Sequence, residues 1–216
     1  VAANAITKTG NHKLVAQLLM SVPKELKGAL DAALAQEGLF AMGEVKRGIV
    51  AQAPGGVAFT PLAATTLKAR EVGGAGGKSP KFGGSKALIV TGELLNAITS
   101  VVEGGTAFVG LLRTARSKNG KDLANLGTIH EYGAGPTVIP YKSERQRRYV
   151  MWLMREAGLT GSPKTGSAGG GAYTLRIPAR PFLRPTFQLL YGNATVARER
   201  FLARLRRLLP PQVGIK

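Results

Sequence analysis

The run Ile177-Pro178-Ala179-Arg180-Pro181-Phe182-Leu183-Arg184-Pro185 constrains this chain more than any other stretch. Its three prolines each fix φ near about −65° and each remove a backbone donor, so the segment fits neither a central strand nor a helix interior. The residues ahead of the prolines are pushed toward extended backbone. What results is a stiff rail between a strand-like run and a helix, carrying Arg180 and Phe182. Two readings of it stand. The rail presents a cation and an aromatic to a partner with little entropy left to lose, or Phe182 and Leu183 plug the core while the prolines end a strand.

The surrounding pattern is mixed helix and strand. Residues 1–20 read as an N-terminal arm, aperiodic at first and then apolar from Leu14 to Met20. Pro23 suits the first turn of a helix, and Leu26, Leu30, Ala33, Leu34, Glu37, Phe40, Ala41, Val45 and Ile49 recur at three and four spacing until Pro54-Gly55-Gly56. About 30 helical residues make a rod of about 45 Å. Gly28, Gly38, Gly43 and Gly48 each cost up to about 1 kcal/mol there, which predicts an element packed close on that face.

Thr91 reads as the cap of a short helix with Glu93, Leu94, Leu95 and Ile98, and Val101 to Leu112 as a hairpin turning at Gly104-Gly105. Leu126 to Gly133 reads as a buried helical turn ending at glycine. A helix is expected over 142–157, closed by Gly158, inside an insertion spanning 134–175. One basic helix is expected over 186–209, with Phe187, Leu190, Ala194, Ala197, Phe201, Leu205 and Leu208 on its apolar face. Gly73 to Lys86 and Thr160 to Ala172 read as flexible glycine-rich loops. The expected fold is α+β in a single domain over 1–216: an antiparallel sheet packed by the long N-terminal helix and the C-terminal helix.

Catalytic chemistry finds little material. With no cysteine and only His12 and His130, disulfides, thiolate sites and an imidazole metal centre are excluded. Gly77-Lys78 lacks the phosphate-loop glycine, since Val72 holds that position, and Pro80 blocks the helix that would follow. His130-Glu131 lacks the second histidine of a zinc protease, because Ala134 stands there; the remaining reading is a hydrogen-bonded structural histidine. A hydrolase on that pair would also need a nucleophile and a second base. The reading is therefore a non-enzyme without cofactors. No apolar run approaches the about 20 residues that span a bilayer, and a reducing cytosol is the expected site of synthesis.

Against this, 30 basic and 12 acidic residues give a formal charge of +18. Such an excess points to a polyanion or to acidic protein partners, and its dispersal along the chain argues for a charged surface on a folded body.

Several spaced motifs together resemble a known family. They are Phe59-Thr60-Pro61-Leu62 with Thr66-Leu67, Leu88-Ile89-Val90-Thr91-Gly92-Glu93-Leu94, Phe108-Val109-Gly110, Ile129-His130-Glu131-Tyr132-Gly133, and Ile177 to Leu183. In order and wording, over roughly Val45 to Thr186, they are similar to the tailed-bacteriophage virion morphogenesis and tail-completion family. That resemblance implies a structural protein of the virion neck, assembled in the host cytoplasm, with no catalysis. It also implies a homo-oligomeric ring, a hexamer favoured, between portal or adaptor and the tail tube or tail terminator, with double-stranded DNA passing through without sequence-specific contact and no membrane involved. The insertion and the long arginine-rich C-terminal helix depart from the family pattern.

On that footing Arg180, Phe182, Arg184, Arg200, Arg204 and Arg207 are the candidate assembly contacts. Arg113, Arg116, Lys118, Lys121, Arg145, Arg147 and Arg148 are the candidates for the DNA channel or an acidic partner. A sixfold ring would carry a formal charge of about +108, whereas a channel of about 45 Å meets only about 26 phosphates. Most of the charge is thus expected to face acidic neighbours or solvent. The competing reading is a basic DNA- or RNA-binding protein outside any virion, using the arginines of the two basic helices.

Overall fold

The computed structural model describes residues 12–72, 84–159 and 171–209, with side chains from residue 24 onward. The first part of the expected arm, most of the Gly73 to Lys86 loop, most of the 160–172 linker and the Pro210-Pro211 stop lie outside the described residues. The fold is α+β, with seven α-helices and two two-stranded sheets among the described residues. Where one sheet was expected there are two, β1-β2 and β3-β4.

The elements run as α1 (His12–Ala51), a 3-10 turn (Pro54–Gly56), α2 (Ala64–Glu71), α3 (Glu93–Ala97), β1 (Ile98–Glu103) and β2 (Thr106–Leu111). They continue with α4 (Leu123–Tyr132), β3 (Ala134–Pro140), α5 (Glu144–Glu156), β4 (Ala172–Ile177), α6 (Arg184–Tyr191) and α7 (Ala194–Leu208). The chain divides into two compact units, one formed by 1–40, 100–108 and 193–216 and the other by 41–99 and 109–192.

Four boundaries differ from the sequence reading. α1 begins at His12 and runs through Pro23, so residues 12–20 are helix and not arm; proline's φ is already helical, and the cost is one lost amide bond and a crowded turn. α3 is capped by Gly92, in the left-handed region at φ 77°, not by Thr91, and Ile98 opens a strand. The expected helix over 186–209 is two helices, because the Asn193 side chain accepts the amides of Thr195 and Val196 and starts α7 afresh. Residues 134–140 of the presumed insertion form β3, antiparallel to β4 with Thr137 opposite Leu175, Val138 opposite Thr174 and Ile139 opposite Tyr173.

Other expectations hold. Gly104 and Gly105 both have positive φ, as a two-residue hairpin turn requires. α5 keeps its expected place, capped by the Ser143 side chain and followed by Gly158 at φ 70°, and its neighbour is α2.

In the larger unit the core is Val45, Ile49, Ile89, Ile98 and Phe182, with Met42, Phe59, Leu95, Leu111 and Phe187 among the side chains packed on it. The last turns of α1 enter that core through Val45 and Ile49. Gly48 lies against Pro54, and α6 packs on the 3-10 turn, where a Cβ on Gly55 would run into Pro185 O. In the smaller unit Gly38 of α1 is crossed closely by Ser100 of β1, with Ala107 of β2 also in contact range. Gly28 and Gly43 have open space where a side chain would go, so only two of the four helical glycines meet the expected close neighbour.

Candidate partner-binding site

The proline rail is a knot within the larger unit. α6 starts at Arg184, and its cap position is Leu183, which has no side-chain acceptor to offer. The first amides of a helix have no intrahelical partner. Glu131, the penultimate residue of α4, supplies it: Oε2 accepts from the amides of Phe182 at 2.8 Å and Leu183 at 3.1 Å, and Oε1 from Arg184 at 2.9 Å. A buried carboxylate at a helix N-terminus is favoured by both the amides and the helix dipole. Thr186 Oγ1 donates back to Phe182 O, tightening the turn.

Arg180 ties the rail down on its other side. Its amide donates to His130 O at 2.7 Å, Nε donates to Thr60 O at 2.8 Å, and Nη2 to Pro61 O at 2.8 Å. The Arg180 side chain thus meets carbonyls of its own unit. Burial pushes the Arg180 guanidinium below the usual arginine range. The next turn of chain is equally tight, since a Cβ on Gly133 would stand 2.9 Å from Ala179 N and 3.0 Å from Ile177 O.

Two candidate assembly contacts fall with this geometry. Phe182 is fully buried and Arg180 is 5% exposed, so both hold the fold and neither is available to a partner. Arg184 is exposed, its guanidinium 5.2 Å from the centre of the Tyr132 ring, itself 67% exposed. Of the rail, only Arg184 remains a surface contact.

The arginines of α7 belong to the smaller unit, and two of the five, Arg200 and Arg204, are engaged there. Arg200 reaches Glu37 Oε1 through Nε at 2.9 Å and Nη2 at 2.6 Å, and Arg204 Nε sits 2.9 Å from Oε2. Both guanidinium groups also stand 5.0 Å from the centre of the Phe40 ring. Glu37 is a buried carboxylate that two cations and an aromatic close over. Arg200 and Arg204 are thus fold contacts in the first instance, and Arg207, exposed with no ion pair among the described residues, is the free cation of the three candidates.

The second candidate set lies in the larger unit. Arg113, Arg116, Lys118 and Lys121 are exposed around one turn-rich segment. Arg116 is held there by the carbonyls of Arg113 and Ala115 and by Asp122 at 3.5 Å, while Asp122 caps α4 through the Asn125 amide, which, ahead of Arg116, holds its carboxyl below the usual range. Arg145 is exposed on α5; Arg147 and Arg148 share Glu144, each at 3.4 Å.

Three residues with large structural roles have partners far outside their local sequence. Glu131 caps a helix from 51 residues away. Glu37 anchors α7 from 163 residues away. Gln52, at φ 61°, bonds both backbone groups of Ala87, accepting from N and donating to O. Among the described residues no group of three His, Cys, Asp or Glu side chains could hold a metal ion, and no helix is long and apolar enough to cross a membrane.

No family model, curated protein or solved structure matches the chain.

Proposed function

We propose that this chain is a structural component of a phage neck, a ring-forming head-to-tail joining or tail-completion protein that links the head connector to the tail around the DNA exit channel. One observation carries the reading. Three of the five motifs that resemble the tail-completion family, far apart in sequence, meet in one hydrogen-bonded knot: Thr60 and Pro61, His130 and Glu131, and Arg180 through Leu183. Residues so engaged form a structural signature. Glu131 spends its carboxylate on three amides and Arg180 its guanidinium on two carbonyls, which supports a role in assembly without catalysis. The exposed cations at Arg113, Lys118, Lys121, Arg145 and Arg207 then serve acidic neighbours in the ring stack and diffuse contact with the passing duplex.

Sedimentation of the purified chain alone, with naked duplex DNA, and with purified head connectors or tails tests this. A chain indifferent to naked DNA at about 0.15 M salt that joins connectors or tails is expected. A chain that ignores the particles and binds naked DNA with a steep salt slope is the nucleic-acid-binding protein instead.

A further inference from the structure

The larger unit carries a cleft of about 400 Å³ that the knot does not fill. Its walls are apolar, with Leu62, Leu88, Val90, Leu94 and Leu126 among them. Three cationic or proton-accepting side chains also reach it, Arg70, His130 and Arg180, with Arg176 on the rim and Glu93 as the one carboxylate among its lining residues. Arg70 is spoken for only by carbonyls, those of Gly84 and Lys86, just as Arg180 is by Thr60 and Pro61. His130 Nδ1 is buried with no hydrogen-bond partner among the described residues. Arg180 lowers the pKa of both Arg70 and His130, after burial itself. The cleft is an apolar trough whose three arginines outnumber its one carboxylate, Glu93.

Its border supplies a second observation. The consecutive residues Leu175, Arg176 and Ile177 of β4 all line it, followed by Pro178. Side chains alternate across a strand, so consecutive lining residues mean that the cleft runs along the strand's edge and not under one face. Among the described residues β4 has one neighbour, β3, in a sheet of two strands. Its other edge offers unpaired amides and carbonyls beside the trough, and a two-stranded sheet gains most from a third strand.

We propose that this cleft binds an extended, acidic and apolar segment of a partner protein, added as a third strand along β4, with its apolar side chains against the leucine wall and its carboxylates toward Arg70 and Arg176. Strand addition gives affinity through the main chain and selectivity through alternate side-chain pockets. Duplex DNA does not fit a trough of this size and wall chemistry. The inference rests on the cleft alone and holds whether or not the chain belongs to a virion.

The probe is a fluorescein-labelled peptide of about eight residues alternating leucine with glutamate, long enough for one strand, compared with its glutamine counterpart, against the full chain at about 0.15 M salt. Binding by anisotropy is expected, about tenfold weaker for the glutamine peptide and about tenfold weaker for Arg176→Glu, while Arg47→Glu, an equal charge change at an exposed position of α1, alters it less than about twofold. Hydrogen exchange at the Leu175 to Ile177 amides slows when the glutamate peptide is bound. The proposal is overturned if Arg47→Glu weakens binding as much as Arg176→Glu, which is the answer of a merely basic surface. It is overturned equally if the glutamine peptide binds as well, if neither peptide binds, or if exchange at those amides is unchanged.

Discussion

Glu131 accepts the amide of Phe182 at 2.8 Å, and the most buried aromatic of the larger unit is thereby held by a carboxylate from another helix. The two residues divide the work of the rail. Phe182 fills the core among Val45, Ile49, Ile89 and Ile98, and Glu131 fixes the backbone on either side of it so that α6 starts in the right direction. The prolines stiffen the chain but leave three amides pointing at one place, and one side chain answers all three.

Glu131→Gln is isosteric but has one acceptor oxygen, and its NH₂ group turns toward an amide that also donates. A cost of about 1.5–3 kcal/mol is expected from the lost charge-assisted bonds. Urea unfolding measures it. A loss below about 0.5 kcal/mol, the scatter of ordinary surface changes, would mean the cap is incidental.

Phe182→Ala empties a fully buried site and is expected to cost about 3–5 kcal/mol. Arg184→Ala, two residues on, removes an exposed cation over Tyr132 and costs less than about 1 kcal/mol. Thermal melts of the pair distinguish a core plug from a partner contact: equal small shifts would return Phe182 to the surface.

The rail was legible because proline chemistry is local: φ, the missing donors and the restraint on the preceding residue follow from the residue types alone. So were α5, closed by Gly158, and the Gly104-Gly105 hairpin. Glu131 was not legible as a cap, and Glu37 stood on the periodic face of α1 with no partner in view, since partners 51 or 163 residues away leave no local trace. β3 escaped because Gly135-Pro136 breaks the alternation that marks a strand, and its register with β4 is irregular over the same stretch. The break at Asn193 was written in the sequence as a capping residue before Thr195, but the apolar spacing from Phe187 to Leu208 continues across it and favoured one helix. Among the candidate contacts, residue type marked the cations, and only burial separated the engaged Arg180, Arg200 and Arg204 from the exposed Arg184 and Arg207.

Within the smaller unit, Arg200→Ala leaves the buried Glu37 carboxylate with Arg204 as its remaining cation among the described ion pairs. Single alanine changes at Glu37 and Arg200 are each expected to destabilise, and the double variant to fall short of their sum by about 1–3 kcal/mol. The coupling survives raised salt because the pair is shielded from it. The exposed Glu44–Arg47 pair gives the contrast, with coupling of about 0–1 kcal/mol. Additive effects at Glu37 and Arg200 would show that Phe40 packing alone holds α7.

His130 sets a pH dependence whose sign follows from its surroundings. Burial, and then the charge of Arg180, lower its pKa in the folded chain below the ordinary value of 6.5. Above that value both folded and unfolded chains carry neutral imidazole, and the residue does not make stability depend on pH. Below it the unfolded chain takes up the proton first, so stability falls with pH until the folded pKa is passed. His130→Gln is expected to flatten the unfolding free energy between about pH 6.5 and the onset of carboxylate titration. Unchanged slopes in the two proteins would place the imidazole in water.

Glycines along α1 separate the cost of helix propensity from the cost of close packing. Gly43 has nothing within 4 Å of a would-be Cβ, whereas Gly48 has the Pro54 Cα at 2.7 Å. Gly43→Ala is expected to stabilise by about 0.5–1 kcal/mol, because alanine loses less backbone freedom on folding and meets no neighbour. Gly48→Ala gains the same propensity but must displace backbone at the 3-10 turn on which α6 rests, and backbone gives way far less readily than a side-chain tip. A net loss is expected, in the about 1–3 kcal/mol range of overpacked sites. Denaturant midpoints of the two variants read the difference directly. If Gly48→Ala stabilised as Gly43→Ala does, the Pro54 turn would not lie against α1, and the packing of α6 on that turn would lose its support.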